Sequence, residues 1–197
     1  MYKQIYSQIT NALVDNGYII IQNALDKNMP IKLLDLTNHE SHFKKAGISA
    51  SPDLHIDSDK RRNKILWLDE DGQSQSEFLA FANGLQEYLN RSLYLGLSYY
   101  ESHFSIYNQG DFYEKHLDAF KNSKNRVVTT VYYLNDAWSE KDGGELIIYN
   151  ENDEEIAKVL PHSNTLVVFM SEIFPHEVLS TNKKRYSIAG WFRVDKI

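Results

Sequence analysis

The second half of the chain is a succession of short runs rich in β-branched and aromatic residues, each bounded by turn residues. From about Tyr99 onward there are eight such runs: ESHFSIYN, FYEKHLD, VVTTVYYLN, ELIIYN, EIAKVL, TLVVFM, HEVLS and RYSIAGWFRV. Strands of this length and spacing are typical of a β-sandwich, a barrel or a jelly roll. The sequence therefore predicts a mainly β core over about residues 99–197.

The first half of the chain predicts helices and a few strands that support this core. Ile5, Ile9 and Leu13 recur at helical spacing, and Asn16 with Gly17 is a suitable helix end. The pattern then predicts a strand over 18–22, a helix from Met29, an irregular loop over 43–59, a strand over 62–69 and a helix over 76–93. We expect the helices to pack against one outer face of the β core, which makes the fold α+β.

Length and composition exclude several classes of protein. At 197 residues the chain predicts a single domain over 1–197, in which about residues 1–98 support the core. The formal charge of −6 argues against nucleic acid as a partner, because phosphate neutralisation dominates such affinity. There is no cysteine, so thiolate metal sites and cysteine nucleophiles are excluded. No signal-peptide pattern opens the chain and no run approaches ~20 apolar residues, so we predict a cytoplasmic location and no membrane partner.

A candidate metal site is spread over two of the predicted strands. His116 and Asp118 lie two residues apart in a strand-like run, where they would share a face. Taken alone, such a pair is better explained as two surface residues. His176 opens another predicted strand after Pro175. Two histidines and one carboxylate make the facial triad typical of non-haem Fe(II) oxygenases. Arg185 follows nine residues after His176, and its guanidinium could bind a dicarboxylate co-substrate in bidentate fashion.

The other histidines have no partner at ligand spacing. We predict that these five are surface or loop residues: His39, His42, His55, His103 and His162. Gly143 and Gly144 precede ELIIY and predict a tight turn between strands.

The residues of the candidate site resemble a known family. HLD at 116–118, His176 and Arg185 are similar to the HxD…H…R pattern of 2-oxoglutarate and Fe(II)-dependent oxygenases, whose fold is a double-stranded β-helix, a form of jelly roll. The segments IYNQGDFYEKHLDAF, VYYLNDAW, GGELIIY, FPHEVLS and RYSIAGWF resemble the hypoxia-type prolyl hydroxylases and their bacterial relatives. This resemblance covers about residues 61–194.

The resemblance implies roles for individual residues. His116, Asp118 and His176 would hold Fe(II), and Arg185 would bind the distal carboxylate of 2-oxoglutarate. Tyr133 would donate a second hydrogen bond to that carboxylate; the alternative for Tyr133 is an ordinary core tyrosine. Strand alternation then predicts that Tyr132 faces away from the barrel interior.

A further group of positions borders the co-substrate and the substrate in the family. The resemblance places Tyr107 beside the co-substrate, and Tyr113, Arg126 and Trp191 beside the substrate, although aromatic residues at strand spacing are as often packing residues. Arg61 matches an arginine that pairs in the family with an aspartate two residues later. Asn63 stands at that position here, which puts the ion pair in doubt.

The implied activity is hydroxylation of a prolyl residue in a protein or peptide. The reaction would use dioxygen and 2-oxoglutarate and release succinate and CO2, with ascorbate as a candidate reductant. One alternative is hydroxylation of a free amino acid or another small molecule, and another is a jelly-roll binding module without catalysis. Nucleic-acid demethylation is less expected, because the branch that performs it has a second arginine where Trp191 stands.

Overall fold

Eleven strands and three α-helices form two antiparallel sheets and a helical layer in the part of the chain that the structure describes. The computed structural model describes residues 2–38, 40–47, 57, 59–68, 73–119 and 125–195. The helices are α1 (Lys3–Asp15), α2 (Met29–Asp35) and α3 (Gln73–Leu93). The strands are β1 (Tyr18–Ile21), β2 (Lys44–Lys45), β3 (Lys64–Trp67), β4 (Tyr99–Tyr107), β5 (Tyr113–His116), β6 (Arg126–Tyr133), β7 (Leu146–Tyr149), β8 (Glu155–Val159), β9 (Leu166–Met170), β10 (His176–Val178) and β11 (Arg185–Arg193).

The strands are shared between a larger and a smaller sheet. The larger sheet has the order β1-β9-β6-β11-β4-β3-β2, and the smaller has the order β5-β10-β7-β8. All eight strands expected beyond residue 99 are present, so the prediction of a mainly β fold with supporting helices is confirmed. Non-consecutive neighbours such as β9, β6 and β11 show that the chain crosses repeatedly between the sheets.

Two apolar clusters lie on opposite faces of the larger sheet. On the outer face, α1 and α3 cover the sheet with side chains such as Ile9 and Leu85, both fully buried. On the inner face, Val167 and Phe169 pack with Leu146 and Ile148 of the smaller sheet. Strand alternation therefore gives each strand of the larger sheet one helix-facing set of side chains and one set that faces the space between the sheets.

Tyr132 and Tyr133 follow this alternation as predicted. Tyr132 points away from the inner space and packs on Phe78 of α3, with ring centroids 5.5 Å apart. Tyr133 belongs to the inner cluster. Both side chains are fully buried, because the helical layer covers the outer one.

The loop expected over residues 43–59 is only partly described. Lys44 and Lys45 pair with β3, so the prediction of irregular structure is wrong for these two residues. Residues 48–56 and 58 lie outside the described residues, as do His39 and His55. Among the described residues, no helix has both the length and the apolar character needed to cross a membrane.

Candidate active site

His116, Asp118 and His176 converge at one end of the inner space. His116 is the last residue of β5 and pairs directly with His176, the first residue of β10. One ligand atom from each of the three side chains lies within 4.8 Å of the others. The carboxylate lies beside both imidazoles, since its Oδ1 is 3.7 Å from Nε2 of His116 and its Oδ2 is 3.5 Å from Nε2 of His176. The three side chains could hold one metal ion.

Asp118 joins the metal-binding group from a bend, whereas the sequence predicted that it lies on a strand. The strand ends at His116, so Asp118 lies in the bend that follows and not on the same strand face. The bend turns the carboxylate back over the strand pair, where it is only 5% exposed. The expected proximity of His116 and Asp118 is therefore present, but strand alternation does not produce it.

Both histidines present Nε2 to the centre of the group. Nδ1 of His116 lies 2.7 Å from the carbonyl oxygen of Glu114, and Nδ1 of His176 lies 3.1 Å from that of Phe174. A carbonyl oxygen only accepts hydrogen bonds, so Nδ1 carries the proton in each ring. The lone pair of each Nε2 is then free for a metal, which is the usual role of such backbone contacts at metal sites.

The charges of the group also suit metal binding. Burial raises the pKa of Asp118, but His176, His116 and Arg126 outweigh burial and hold the pKa at about 2. Burial, followed by the nearby His176, lowers the pKa of His116 to about 3. At neutral pH the group thus offers an ionised carboxylate and a neutral imidazole, which are the forms that bind metal ions.

Arg185 is a buried cation in the same inner space. It opens β11, is 1% exposed, and donates from Nε to the carbonyl of Gly144 at 2.8 Å and from Nη1 to Ser187 Oγ at 3.3 Å. Its guanidinium carbon lies 4.8 Å from the ring centroid of Tyr107 and 5.0 Å from that of Tyr133. No carboxylate pairs with it within the described ranges. A buried guanidinium without a counter-ion is suited to a carboxylate ligand.

Tyr133 adds a donor beside this guanidinium. Its hydroxyl is buried beside Arg185 and makes no hydrogen bond of ordinary geometry to a described residue. Burial raises the pKa of Tyr133 to about 12, although the nearby Arg185 partly opposes that shift, so the phenol keeps its proton. Tyr107 lies directly opposite Arg185 in the β4–β11 pairing and is 4% exposed. The structure therefore brings Arg185, Tyr133 and Tyr107 together.

The three residues expected beside the substrate surround the metal-binding group. The Tyr113 ring stacks on His116 with a centroid separation of 3.6 Å. The Arg126 guanidinium lies 3.8 Å from the ring centroid of Trp191 and also bonds to Glu101. The Trp191 indole helps to lower the pKa of Asp118, although its Nε1 makes no hydrogen bond of ordinary geometry to a described residue.

His103 corrects one of the sequence predictions. It is not a surface or loop residue, because it lies inside β4 and is only 2% exposed. Its ring lies between Trp67 and Trp191, with centroid separations of 5.2 Å and 5.3 Å, and its Nδ1 is 3.1 Å from Ser105 Oγ. His103 precedes Tyr107 by four residues on one strand, so alternation alone could have placed both on the inner face.

Arg61 makes a hydrogen bond where the family has an ion pair. Its Nε donates to Asn63 Oδ1 at 2.7 Å, and its Nη1 donates to the carbonyl of Gly47 at 3.1 Å. The guanidinium also lies 4.5 Å from the ring centroid of Tyr113. The doubt about the ion pair is therefore justified, but an amide oxygen takes the place of the carboxylate.

Comparisons with known proteins identify the family. The family model described as "2OG-Fe(II) oxygenase superfamily" matches residues 102–193. A prolyl-4-hydroxylase of Pseudomonas putida superposes with a TM-score of 0.86 at 30% identity, covering 97% of this chain and 100% of that one. The chain belongs to the 2OG-Fe(II) oxygenase superfamily. Its double-stranded β-helix core agrees with the expectation from the sequence.

Two other known proteins are similar over part or most of the chain. Human Egl nine homolog 1 is 38% identical over 85 residues, which is 42% of this chain but only 20% of that protein. A Trichoplax adhaerens prolyl hydroxylase, solved with a hypoxia inducible factor peptide fragment, has a TM-score of 0.85 at 26% identity and covers 96% of this chain and 89% of that one. The chain thus matches a small part of the curated relatives and nearly all of these solved structures.

Membership of the 2OG-Fe(II) oxygenase superfamily specifies Fe(II), 2-oxoglutarate and dioxygen, and the residues present fit the first two. Two imidazoles and a carboxylate are ligands suited to Fe(II). The buried Arg185 and the unpartnered hydroxyl of Tyr133 are donors suited to a carboxylate of 2-oxoglutarate. The chain is therefore an enzyme of the oxygenase class that the sequence indicated.

Proposed function

We propose that this chain hydroxylates a prolyl residue in a protein or peptide, with 2-oxoglutarate and dioxygen as co-substrates. The main support is that the metal-binding group and the buried Arg185 both lie between the two sheets. Phe169 connects the two, because it packs on His176 at a centroid separation of 4.8 Å and shares the inner cluster with Tyr133. The similarity to prolyl hydroxylases over nearly the whole chain supports the choice of substrate.

We assign the metal to His116, Asp118 and His176. Three protein ligands of this kind leave coordination positions open for 2-oxoglutarate and dioxygen. The bound iron supplies the oxygen chemistry, and the protein supplies orientation and exclusion of water. The backbone carbonyls that hold each Nδ1 fix the two imidazoles before the metal arrives.

We assign the far carboxylate of 2-oxoglutarate to Arg185 and Tyr133. A guanidinium and a phenol hydroxyl can both donate to one carboxylate, and each is buried. Tyr107 borders the same guanidinium and would limit the width of the co-substrate site. These residues would orient 2-oxoglutarate with its keto acid end toward the metal.

We place the substrate against Tyr113, Arg126 and Trp191. The exposed Trp67 joins this surface through His103, and sequence reasoning missed both residues. The peptide fragment solved with the Trichoplax adhaerens relative supports a polypeptide as the substrate. A free amino acid remains the alternative within the same chemistry, and the cytoplasmic location remains a prediction.

The first experiment tests the metal and co-substrate assignments. Apoprotein is titrated anaerobically with Fe(II) and 2-oxoglutarate while the visible charge-transfer band of the chelated co-substrate is followed. We expect a band in the wild type and in His42→Ala, an exposed histidine control, but none in folded His176→Ala. A band of full strength in His176→Ala, or its absence in the wild type, would overturn the assigned site and favour a binding module without catalysis.

The second experiment tests the class of substrate. Proline-containing peptides, a cell extract and free proline are each incubated with enzyme, 2-oxoglutarate and ascorbate, and products are examined by mass spectrometry. We expect the mass of one oxygen atom to be added to a prolyl residue of a polypeptide, and not when His176→Ala is used. Succinate formation stimulated by free proline but by no peptide would contradict the proposal and support a small-molecule hydroxylase.

A further inference from the structure

A chain of two buried hydroxyl groups ends on the carboxylate of Asp118. Thr129 Oγ1 donates to Asp118 Oδ2 at 2.9 Å, and it lies 2.8 Å from Ser171 Oγ. Thr129 is 1% exposed and Ser171 is fully buried. Thr129 belongs to β6, Ser171 opens the turn after β9, and Asp118 lies beyond β5, so three separate elements meet at this point.

The direction of these hydrogen bonds is fixed by the acceptor at the end. Asp118 Oδ2 accepts the bond that Thr129 Oγ1 donates, because a carboxylate oxygen is a hydrogen-bond acceptor. The single hydroxyl proton of Thr129 is used on Asp118, so Ser171 must donate to Thr129. Each hydroxyl that accepts a bond becomes a better donor, so Ser171 strengthens the bond that Thr129 gives to Asp118.

We propose that Thr129 and Ser171 are positioning residues that hold Asp118 in its metal-binding orientation. This inference rests on the proposed assignment of Asp118 as an iron ligand. Asp118 lies in a bend outside β5, so no strand ladder fixes its carboxylate. The hydrogen bond from Thr129 fixes the rotation of the carboxylate and attaches it to β6, which is a central strand of the larger sheet.

Thr130, on the same strand, has a buried hydroxyl whose role is structural only. It is the adjacent residue, has the same side chain and is also buried, at 4% exposed. Its Oγ1 lies 2.8 Å from Tyr100 Oη and 3.4 Å from the carbonyl of Gly190, which are neutral groups on the helix side of the sheet. Thr130→Val is therefore a matched control for Thr129→Val.

The test measures metal affinity without turnover. Apoprotein is titrated with Co(II), an oxygen-stable probe, in the wild type and in Thr129→Val, Thr129→Ser, Thr130→Val and Ser171→Ala. We expect Thr129→Val to weaken binding roughly 10–100-fold, as is usual when a group that orients a metal ligand is lost. Ser171→Ala should weaken binding by a smaller factor, Thr129→Ser should restore affinity because it keeps the hydroxyl, and Thr130→Val should bind as the wild type does.

The outcomes separate this inference from the proposed function. Wild-type protein that binds no Co(II), or Asp118→Ala that binds as tightly as wild type, would remove the metal assignment itself. Wild-type binding with no weakening in Thr129→Val and Ser171→Ala would overturn the positioning role alone, as would equal weakening in Thr130→Val. If Thr129→Val does not fold, the comparison of Ser171→Ala with Thr130→Val decides in the same way.

Discussion

We expect the Tyr133 hydroxyl to contribute to the binding of 2-oxoglutarate but not to the stability of the protein without ligand. It is buried and no described residue accepts its proton, so Tyr133→Phe should leave the free energy of unfolding unchanged or slightly raised. The loss of a donor to a charged group should weaken 2-oxoglutarate binding by about 1.5–3 kcal/mol, or roughly 10–100-fold. Urea denaturation of the apoprotein and anaerobic 2-oxoglutarate titration measure the two effects.

Tyr132→Phe is the neighbouring control, and it should behave in the opposite way. The Tyr132 hydroxyl donates to Asn164 Oδ1 at 2.9 Å on the helix side of the sheet. Its removal should destabilise the protein by about 1 kcal/mol and leave 2-oxoglutarate binding unchanged. Loss of stability in Tyr133→Phe with normal co-substrate affinity would mean that Tyr133 is an ordinary core tyrosine.

Site residues could be predicted from the sequence when they form an uncommon combination of side chains. They could not be predicted when the residue type is common in strands. The spacing of His116, Asp118 and His176, together with the family resemblance, pointed to one group because few other functions need that combination. His103 was misplaced because a histidine on a half-polar strand looks the same in sequence whether it is exposed or covered by tryptophans. Thr129 gave no signal, since threonine is frequent in strands for its shape alone.

The segment that carries Gly143 and Gly144 forms one wall of the Arg185 site. Both glycines have positive φ, 64° and 70°, but the prediction of a tight turn between strands is wrong, because Gly143 follows a short 3-10 helix (Glu140–Asp142) and forms an isolated bridge to Thr181. A Cβ on Gly144 would lie 3.1 Å from Arg185 Cδ and 3.0 Å from Thr181 Cβ, whereas one at Gly110, with φ 85°, would meet nothing within 4 Å. Alanine substitutions at Gly110 and Gly144 can therefore be compared to distinguish the energetic cost of positive φ from the effect of crowding Arg185.

We expect Gly144→Ala to lose more stability than Gly110→Ala and to differ from it in co-substrate binding. The backbone conformation should cost each variant about 1–2 kcal/mol, because an L-residue disfavours positive φ, and crowding adds to this cost only at Gly144. Only Gly144→Ala should raise the KM for 2-oxoglutarate, by roughly tenfold or more, since it displaces a group that orients the co-substrate. Thermal denaturation and initial rates at varied 2-oxoglutarate measure both. An unchanged KM in Gly144→Ala would show that this segment does not orient Arg185 for the co-substrate.

Secondary-structure elements were predicted better than their ends. The alternation of apolar residues identified the strands and the 3.6-residue period identified the helices, because both patterns follow from burial on one face. The end of β5 at His116 was missed, since the bend at Asp118 depends on contacts with Thr129 from a distant strand. The pairing of Lys44 and Lys45 with β3 was also missed, because two consecutive lysines show no alternation of apolar and polar residues.

At the scale of the whole molecule, the two faces of the larger sheet differ in function: one packs against the helices, and the other faces the candidate active site. Its outer face and the helices form an apolar core, while its inner face carries Arg185, Tyr133 and Thr129 and faces a second apolar cluster and the metal-binding group of the smaller sheet. The sequence predicted the helical layer but not which strands would be central. The order of the strands in each sheet depends on where the chain crosses between the sheets. The residues of a single strand do not specify which strands lie beside it.

His103 should make the whole fold sensitive to acid. Burial, followed by the nearby Arg61 and Arg126, lowers its pKa to about 3, against an ordinary value of 6.5. Below pH 6.5 the unfolded chain binds a proton at this histidine and the folded protein does not, so the free energy of unfolding falls as the pH falls. The loss ends near the folded pKa of about 3, where both states are protonated. Between about pH 7.5 and pH 5 this one residue should cost about 2 kcal/mol of stability.

The comparison of wild type with His103→Gln by urea denaturation of metal-free protein tests this linkage, because glutamine keeps a polar side chain but does not titrate. The decrease in stability between the two pH values should be about 2 kcal/mol smaller in His103→Gln than in the wild type. Equal decreases in wild type and His103→Gln would mean that the folded protein admits the proton, and that the space between Trp67 and Trp191 opens to water as the pH falls.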